Sequence, residues 1–198
     1  MQWYEDDIKR LEEKSLAENY TAETIFYGSS SIRVWNTLEK DLAEFHPVNL
    51  GFGGSTLASC TWFFDRVMAN YQPKRLVVYA GDNDLGDGRR PEEVCLFFEE
   101  LMQKAKQRFG DIPCYFISAK PSIARWNIVD NFKYANELIE REIVNLNANW
   151  HFIDIFPKML DINGKPDPKF YIEDGLHLSA AGYQIWTEAV KTAIGDNG

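Results

Sequence analysis

Five short apolar runs punctuate the chain, at TIFYG (24–28), VNLGF (48–52), RLVVYAG (75–81), PCYFISA (113–119) and WHFIDIF (150–156). Each is near-continuously hydrophobic and rich in β-branched and aromatic residues, which predicts strands buried on both faces and not half-exposed ones. The longer segments between them carry apolar residues at helical spacing: LASCTWFFDRVMANY, PEEVCLFFEELMQKAKQRF and DNFKYANELIEREIVNLNA. Pro91 at the head of the second suits a first helical turn. Residues 180–194 supply a final helix, and the N-terminal segment reads as another, with Trp3, Ile8, Leu11 and Leu16 as its apolar members.

Strands alternating with helices predict an α/β fold built on a parallel sheet. Five strands covered on both sides make a three-layer α/β/α sandwich of flavodoxin-like form. A length of 198 residues is enough for one substantial core and short for two, so residues 1–198 are read as a single domain.

Composition narrows the class of partner. With 30 acidic against 21 basic residues the net charge is -9, and no cluster of Lys and Arg marks a surface for phosphate backbones, which argues against nucleic acid. No basic start with an apolar continuation and no long uncharged run is present, so a signal peptide and a membrane span are not expected and the reading is cytoplasmic. Cys60, Cys95 and Cys114 are odd in number and lack C-x-x-C spacing, which predicts buried free thiols in place of disulfides or a zinc site. Oligomeric state leaves no trace in the sequence.

Ligands of an open parallel sheet bind beyond the C-terminal ends of its strands. Polar residues gather there: Ser29, Ser30 and Ser31 after the first run, Gly53, Gly54 and Ser55 after the second, Asp82, Asn83 and Asp84 after the third. A fourth group, EDGLHLS (173–179), places Asp174 and His177 three residues apart. A serine nucleophile needs a base within reach, and the base needs a carboxylate to hold its tautomer. His177 and Asp174 can supply both. The oxyanion of a tetrahedral intermediate needs preorganised donors, for which the Gly54 N–H, the Asn83 amide and the N–H of the nucleophile are candidates. The triple serine also has a plain structural reading, because Ser is a favoured N-cap at a strand-to-helix junction.

These blocks, GSSS (28–31), NLGFGGS (49–55), GDND (81–84) and DGLH (174–177), stand in the order that gives the SGNH (GDSL-type) hydrolases their name, and the chain resembles that family over nearly its whole length. The resemblance implies Ser30 as nucleophile, His177 as base, Asp174 as its partner, and Ser30, Gly54 and Asn83 as the oxyanion hole. It also implies a flavodoxin-like fold and no cofactor. One position departs from the motif: its usual Asp is Ser29 here, which bears on support of the loop more than on the mechanism.

Ser29 and Arg33 are candidate substrate contacts, with an ion pair as the alternative for Arg33. Trp35, Trp62 and Trp126 either line the cleft or belong to the core. The acidic stretch GDNDLGDG fails the EF-hand template, since Gly86 replaces a ligand and Asp87 stands where the turn requires glycine, and no metal site is expected. The expected activity is hydrolysis of small soluble esters or of acetyl groups on sugars. The competing reading is a non-catalytic module that cradles an anion, such as an FMN phosphate, at the 28–31 turn.

Overall fold

The computed structural model describes residues 1–17, 22–146 and 149–196. In chain order its elements are α1 (Glu5–Ala17), β1 (Thr24–Gly28), α2 (Ser30–Arg33), α3 (Leu38–Asp41), β2 (Pro47–Gly51), α4 (Leu57–Val67) and β3 (Arg75–Tyr79). There follow α5 (Asp82–Gly86), α6 (Pro91–Phe109), β4 (Cys114–Ile117), α7 (Val129–Leu146), β5 (Trp150–Ile153) and α8 (Ala180–Asp196). The predicted helix ending at residue 148 reaches Leu146, and its last two positions lie outside the described residues.

All four strand pairings are parallel, in the order β2-β1-β3-β4-β5. This is the expected flavodoxin-like five-stranded sheet, and the order reverses between β1 and β3, the place where such sheets bind ligands. Successive side chains of a strand point to opposite faces, and here both faces are covered. Ile25 and Tyr27 join the core under α1, α4, α6 and α7, while Phe26 joins the one formed with Trp35, Trp186 and Val190. That two-sided burial is why the strand runs lack polar alternation.

β1 must end on glycine. Gly28 has φ +142°, and a Cβ there would lie 1.9 Å from the Tyr79 carbonyl oxygen of β3. The chain can then turn directly into α2 beside its neighbouring strand.

The N-terminal segment differs from its predicted face. It opens with a 3₁₀ turn over Gln2–Tyr4; Tyr4 packs inward with Ile8 and Leu11, while Trp3 and Leu16 are 78% and 77% exposed. Tyr4, Ile8 and Leu11 stand at i, i+4 and i+7, one helical face, whereas Trp3 lies five residues from Ile8 and Leu16 five from Leu11, and both fall off it.

α4 starts with a reciprocal cap: Thr56 Oγ1 accepts from the Ser59 N–H (3.0 Å), and Ser59 Oγ accepts from the Thr56 N–H (2.9 Å). Thr56→Ala is expected to cost about 1 kcal/mol of stability, the usual worth of such a cap, measurable as a lower urea midpoint at unchanged m-value.

Candidate active site

The three consecutive serines have three different environments. Ser29 is fully buried; its N–H donates to the Tyr79 carbonyl (2.9 Å), and its hydroxyl accepts from the Ser31 N–H as the N-cap of α2. Burial therefore removes Ser29 as a substrate contact. Ser31 is buried as well, and its carbonyl accepts from Tyr183 Oη (2.8 Å). Ser30, on the first turn of α2, is partly exposed and directs Oγ to within 3.0 Å of His177 Nε2.

His177 and Asp174 stand in the loop before α8. His177 Nδ1 lies 2.6 Å from Asp174 Oδ2, and Asp174 Oδ1 accepts the N–H groups of Leu176 (2.8 Å) and His177 (2.9 Å). Partial burial alone would raise the Asp174 pKa. The hydrogen bond from the His177 ring and those two N–H groups outweigh it and bring the carboxyl down to about 2. An ionised Asp174 accepts a hydrogen bond from Nδ1–H and so keeps the proton on Nδ1, which leaves the Nε2 lone pair of a neutral ring facing the Ser30 hydroxyl. A hydroxyl paired with an imidazole that is itself held by a carboxylate can lose its proton as it attacks an electrophile.

Two further groups occupy the ends of β2 and β3. Gly54 has φ +65° with no atom within 4 Å of where a Cβ would stand, so its backbone is open to an approaching ligand. Asn83, in α5, donates from Nδ2 to the Ser55 carbonyl (2.9 Å) and accepts at Oδ1 from Arg125 Nη2 (2.9 Å). A guanidinium can only donate and a carbonyl only accept, so these partners fix the orientation of the amide. The second Nδ2 hydrogen remains for a ligand.

Beneath Asn83 lies a buried ionic group that the sequence reading missed. Lys120, 1% exposed, donates to Asp82 Oδ2 (3.0 Å) and Tyr79 Oη (3.1 Å), and Arg125 Nη1 donates to the Asp82 carbonyl (2.8 Å). The available signal was position: KPSIAR (120–125) directly follows the PCYFISA run, at the same end of the sheet as the other polar groups.

The remaining candidates sort by place. Arg33 is exposed, and its guanidinium lies over Gly53, where a Cβ would fall 2.4 Å from Nη1. Trp35 is core, stacked on Tyr183, whereas Trp62 is exposed on α4 and Trp126 lies under Lys165. Asp84, in the stretch weighed for calcium, is buried and accepts the first N–H groups of α4, from Leu57 (2.5 Å) and Ala58 (3.3 Å). Burial pushes its pKa up to about 6 against those hydrogen bonds. Its carboxylate serves a helix start.

Residues 15–185 match the model of the GDSL-like lipase/acylhydrolase family. No curated protein matches the sequence. Among solved structures, a candidate platelet activating factor from Streptococcus pneumonia superposes with a TM-score of 0.83 at 19% identity, over 95% of this chain and 91% of that one. A GDSL-like lipase from Bacteroides thetaiotaomicron gives 0.78 at 21% identity, over 96% and 97%. A catalytic mutant of an acetylxylan esterase from Geobacillus stearothermophilus gives 0.69 at 14% identity, over 89% and 95%. At such identities the likeness establishes the fold.

Proposed function

The chain belongs to the GDSL-like lipase/acylhydrolase family, and from that premise we propose that residues 1–198 form one esterase domain that cleaves carboxylic esters through an acyl-enzyme on Ser30. Ser30 Oγ attacks the ester carbonyl carbon while its proton passes to His177 Nε2. Asp174 holds the imidazolium that results. The carbonyl π electrons move onto oxygen, where the N–H groups of Ser30 and Gly54 and the Asn83 amide receive the negative charge. Collapse breaks the ester C–O bond, and His177 gives its proton to the leaving alcohol. Water then attacks the acyl-enzyme by the same path, with His177 taking its proton and returning it to Ser30 as the acid leaves.

The observation that carries this reading is the unbroken chain from Ser30 Oγ to His177 (3.0 Å) to Asp174 (2.6 Å), which joins Ser30 to a pair of loop residues beginning 144 positions further along the sequence and is aimed at the switch point of the sheet. Small soluble esters and O-acetylated sugars are the proposed substrates, in keeping with a structural neighbour that is an acetylxylan esterase. Among the described residues no helix is long and apolar enough to cross a membrane. The anion-cradle alternative is disfavoured: α2 has only four residues, and the Ser29 hydroxyl already takes the Ser31 N–H that a phosphate would need.

A fluorophosphonate is expected to form one adduct, on Ser30 by peptide mapping, and to leave His177→Ala unmodified. Labelling elsewhere, or equal labelling of the variant, sinks the assignment.

A further inference from the structure

The glycine pair at 53–54 is the most permissive backbone in the site, and nothing in its own sequence fixes where the Gly54 N–H points. A peptide group is planar, so the 53–54 unit that carries this N–H is placed by its two terminal Cα atoms, each of which it shares with a flanking peptide. Both flanking peptides are tied to the N-terminal segment. Asp7 Oδ2 accepts the Gly53 N–H (3.2 Å), holding the 52–53 peptide, and Tyr4 Oη donates to the Gly54 carbonyl (2.9 Å), holding the 54–55 peptide. The next carbonyl, of Ser55, accepts from Asn83.

The segment that supplies these anchors is itself rigidly mounted. Tyr4 is buried edge-on against Phe52 and Phe63, and Ile8 and Leu11 are fully buried. Arg66 of α4 grips Glu5 (3.0 Å) and Glu12 (2.8 Å) along α1. Tyr4 and Asp7 are three residues apart, one turn, and so present both groups to the same loop. Both also precede residue 15, where the match to the family model begins.

We propose that Tyr4 and Asp7 are positioning residues that hold in place the peptide carrying the Gly54 N–H, so that the N-terminal helix is a working part of the oxyanion site. The inference rests on the esterase reading above. Donors for a developing oxyanion act by being fixed before charge appears; a 53–54 peptide whose two ends can shift presents its N–H at the required place for only part of the time.

The test uses the full chain and a short aryl ester, p-nitrophenyl acetate, with Ser30→Ala measured first. Loss of hydrolysis in Ser30→Ala secures the underlying reading, and retention overturns that reading itself. Tyr4→Phe removes one oxygen from a ring that stays packed, and Asp7→Ala removes the acceptor. Each is expected to lower kcat by about tenfold, a fraction of the loss for deleting a donor outright, with KM unchanged. Asp7→Asn keeps a carbonyl oxygen for the Gly53 N–H and is expected to recover most of the rate. Fluorophosphonate labelling should slow in the same order. Unchanged kcat in Tyr4→Phe and Asp7→Ala in an enzyme that Ser30→Ala inactivates, or losses that Asp7→Asn does not recover, overturn the proposal alone.

Discussion

Ser30→Ala is expected to lower kcat for a short acyl ester by roughly 10⁴–10⁶-fold and leave the fold intact. The substitution deletes only Oγ from a partly exposed side chain whose side-chain hydrogen bond is the one to His177. No buried partner is orphaned, since His177 Nε2 can turn to water. What is lost is the nucleophile, and what survives is whatever the oxyanion donors contribute to direct attack by water. His177→Ala should fail to a similar extent, and the double variant should be no worse than either, because residues acting as one unit are not additive. Ser29→Ala supplies the contrast within the same triplet. It removes a cap from a buried junction, so its effect, about 1 kcal/mol, belongs on the melting curve. Initial rates corrected by folded fraction separate the two. Parent-like turnover in Ser30→Ala would remove the acyl-enzyme route.

Much of this arrangement was legible along the chain, because it depends on local pattern. The five runs became the five strands since each is apolar on both faces, and the four polar blocks met because a parallel sheet delivers every strand end to one edge. What resisted reading depends on contacts between distant segments. Which serine faces His177 is set by the rotation of α2 against α8, where Tyr183 reaches the Ser31 carbonyl, and no spacing encodes that. Lys120 drew no reading at all, because the partners that bury it, Asp82 and Tyr79, lie 38 and 41 residues earlier in the chain. Tyr4 and not Trp3 joins the core because Tyr4 stands four residues before Ile8 and seven before Leu11, on one helical face; taking Trp3 and Leu16 into that face weighed their size above their spacing.

Lys120→Met is expected to cost about 3–5 kcal/mol of stability, and the loss should depend on pH in a way that identifies its cause. Asp82 is 4% exposed, and its carboxylate is held by Lys120 at 3.0 Å and by Arg125 at 3.7 Å. Burial pushes the Asp82 pKa up, but the two cations and the hydrogen bonds from Lys120 and Tyr79 outweigh it, so the carboxyl lies below its ordinary value. A depressed carboxyl contributes stability that is complete above the unfolded-state pKa, about 4, and is lost as pH falls through the folded-state value. In Lys120→Met the nearer cation is gone and burial gains the upper hand, so the Asp82 pKa should rise above 4. Stability of the variant then falls as pH climbs past that value, the opposite slope to the parent. The gap between the two urea midpoints should therefore widen from pH 4 to pH 7. Asp82→Asn placed on the Lys120→Met background should close part of it, since a neutral amide leaves no buried charge to strand. A gap of constant size would mean that Lys120 matters for the volume of its side chain. The distinction reaches the chemistry, because Arg125 grips the Asp82 carbonyl and the Asn83 amide with one guanidinium. A charge left unbalanced at Asp82 would draw Arg125 toward it and away from Asn83, so a charge-driven loss of stability should bring a fall in kcat that the Asp82→Asn background relieves.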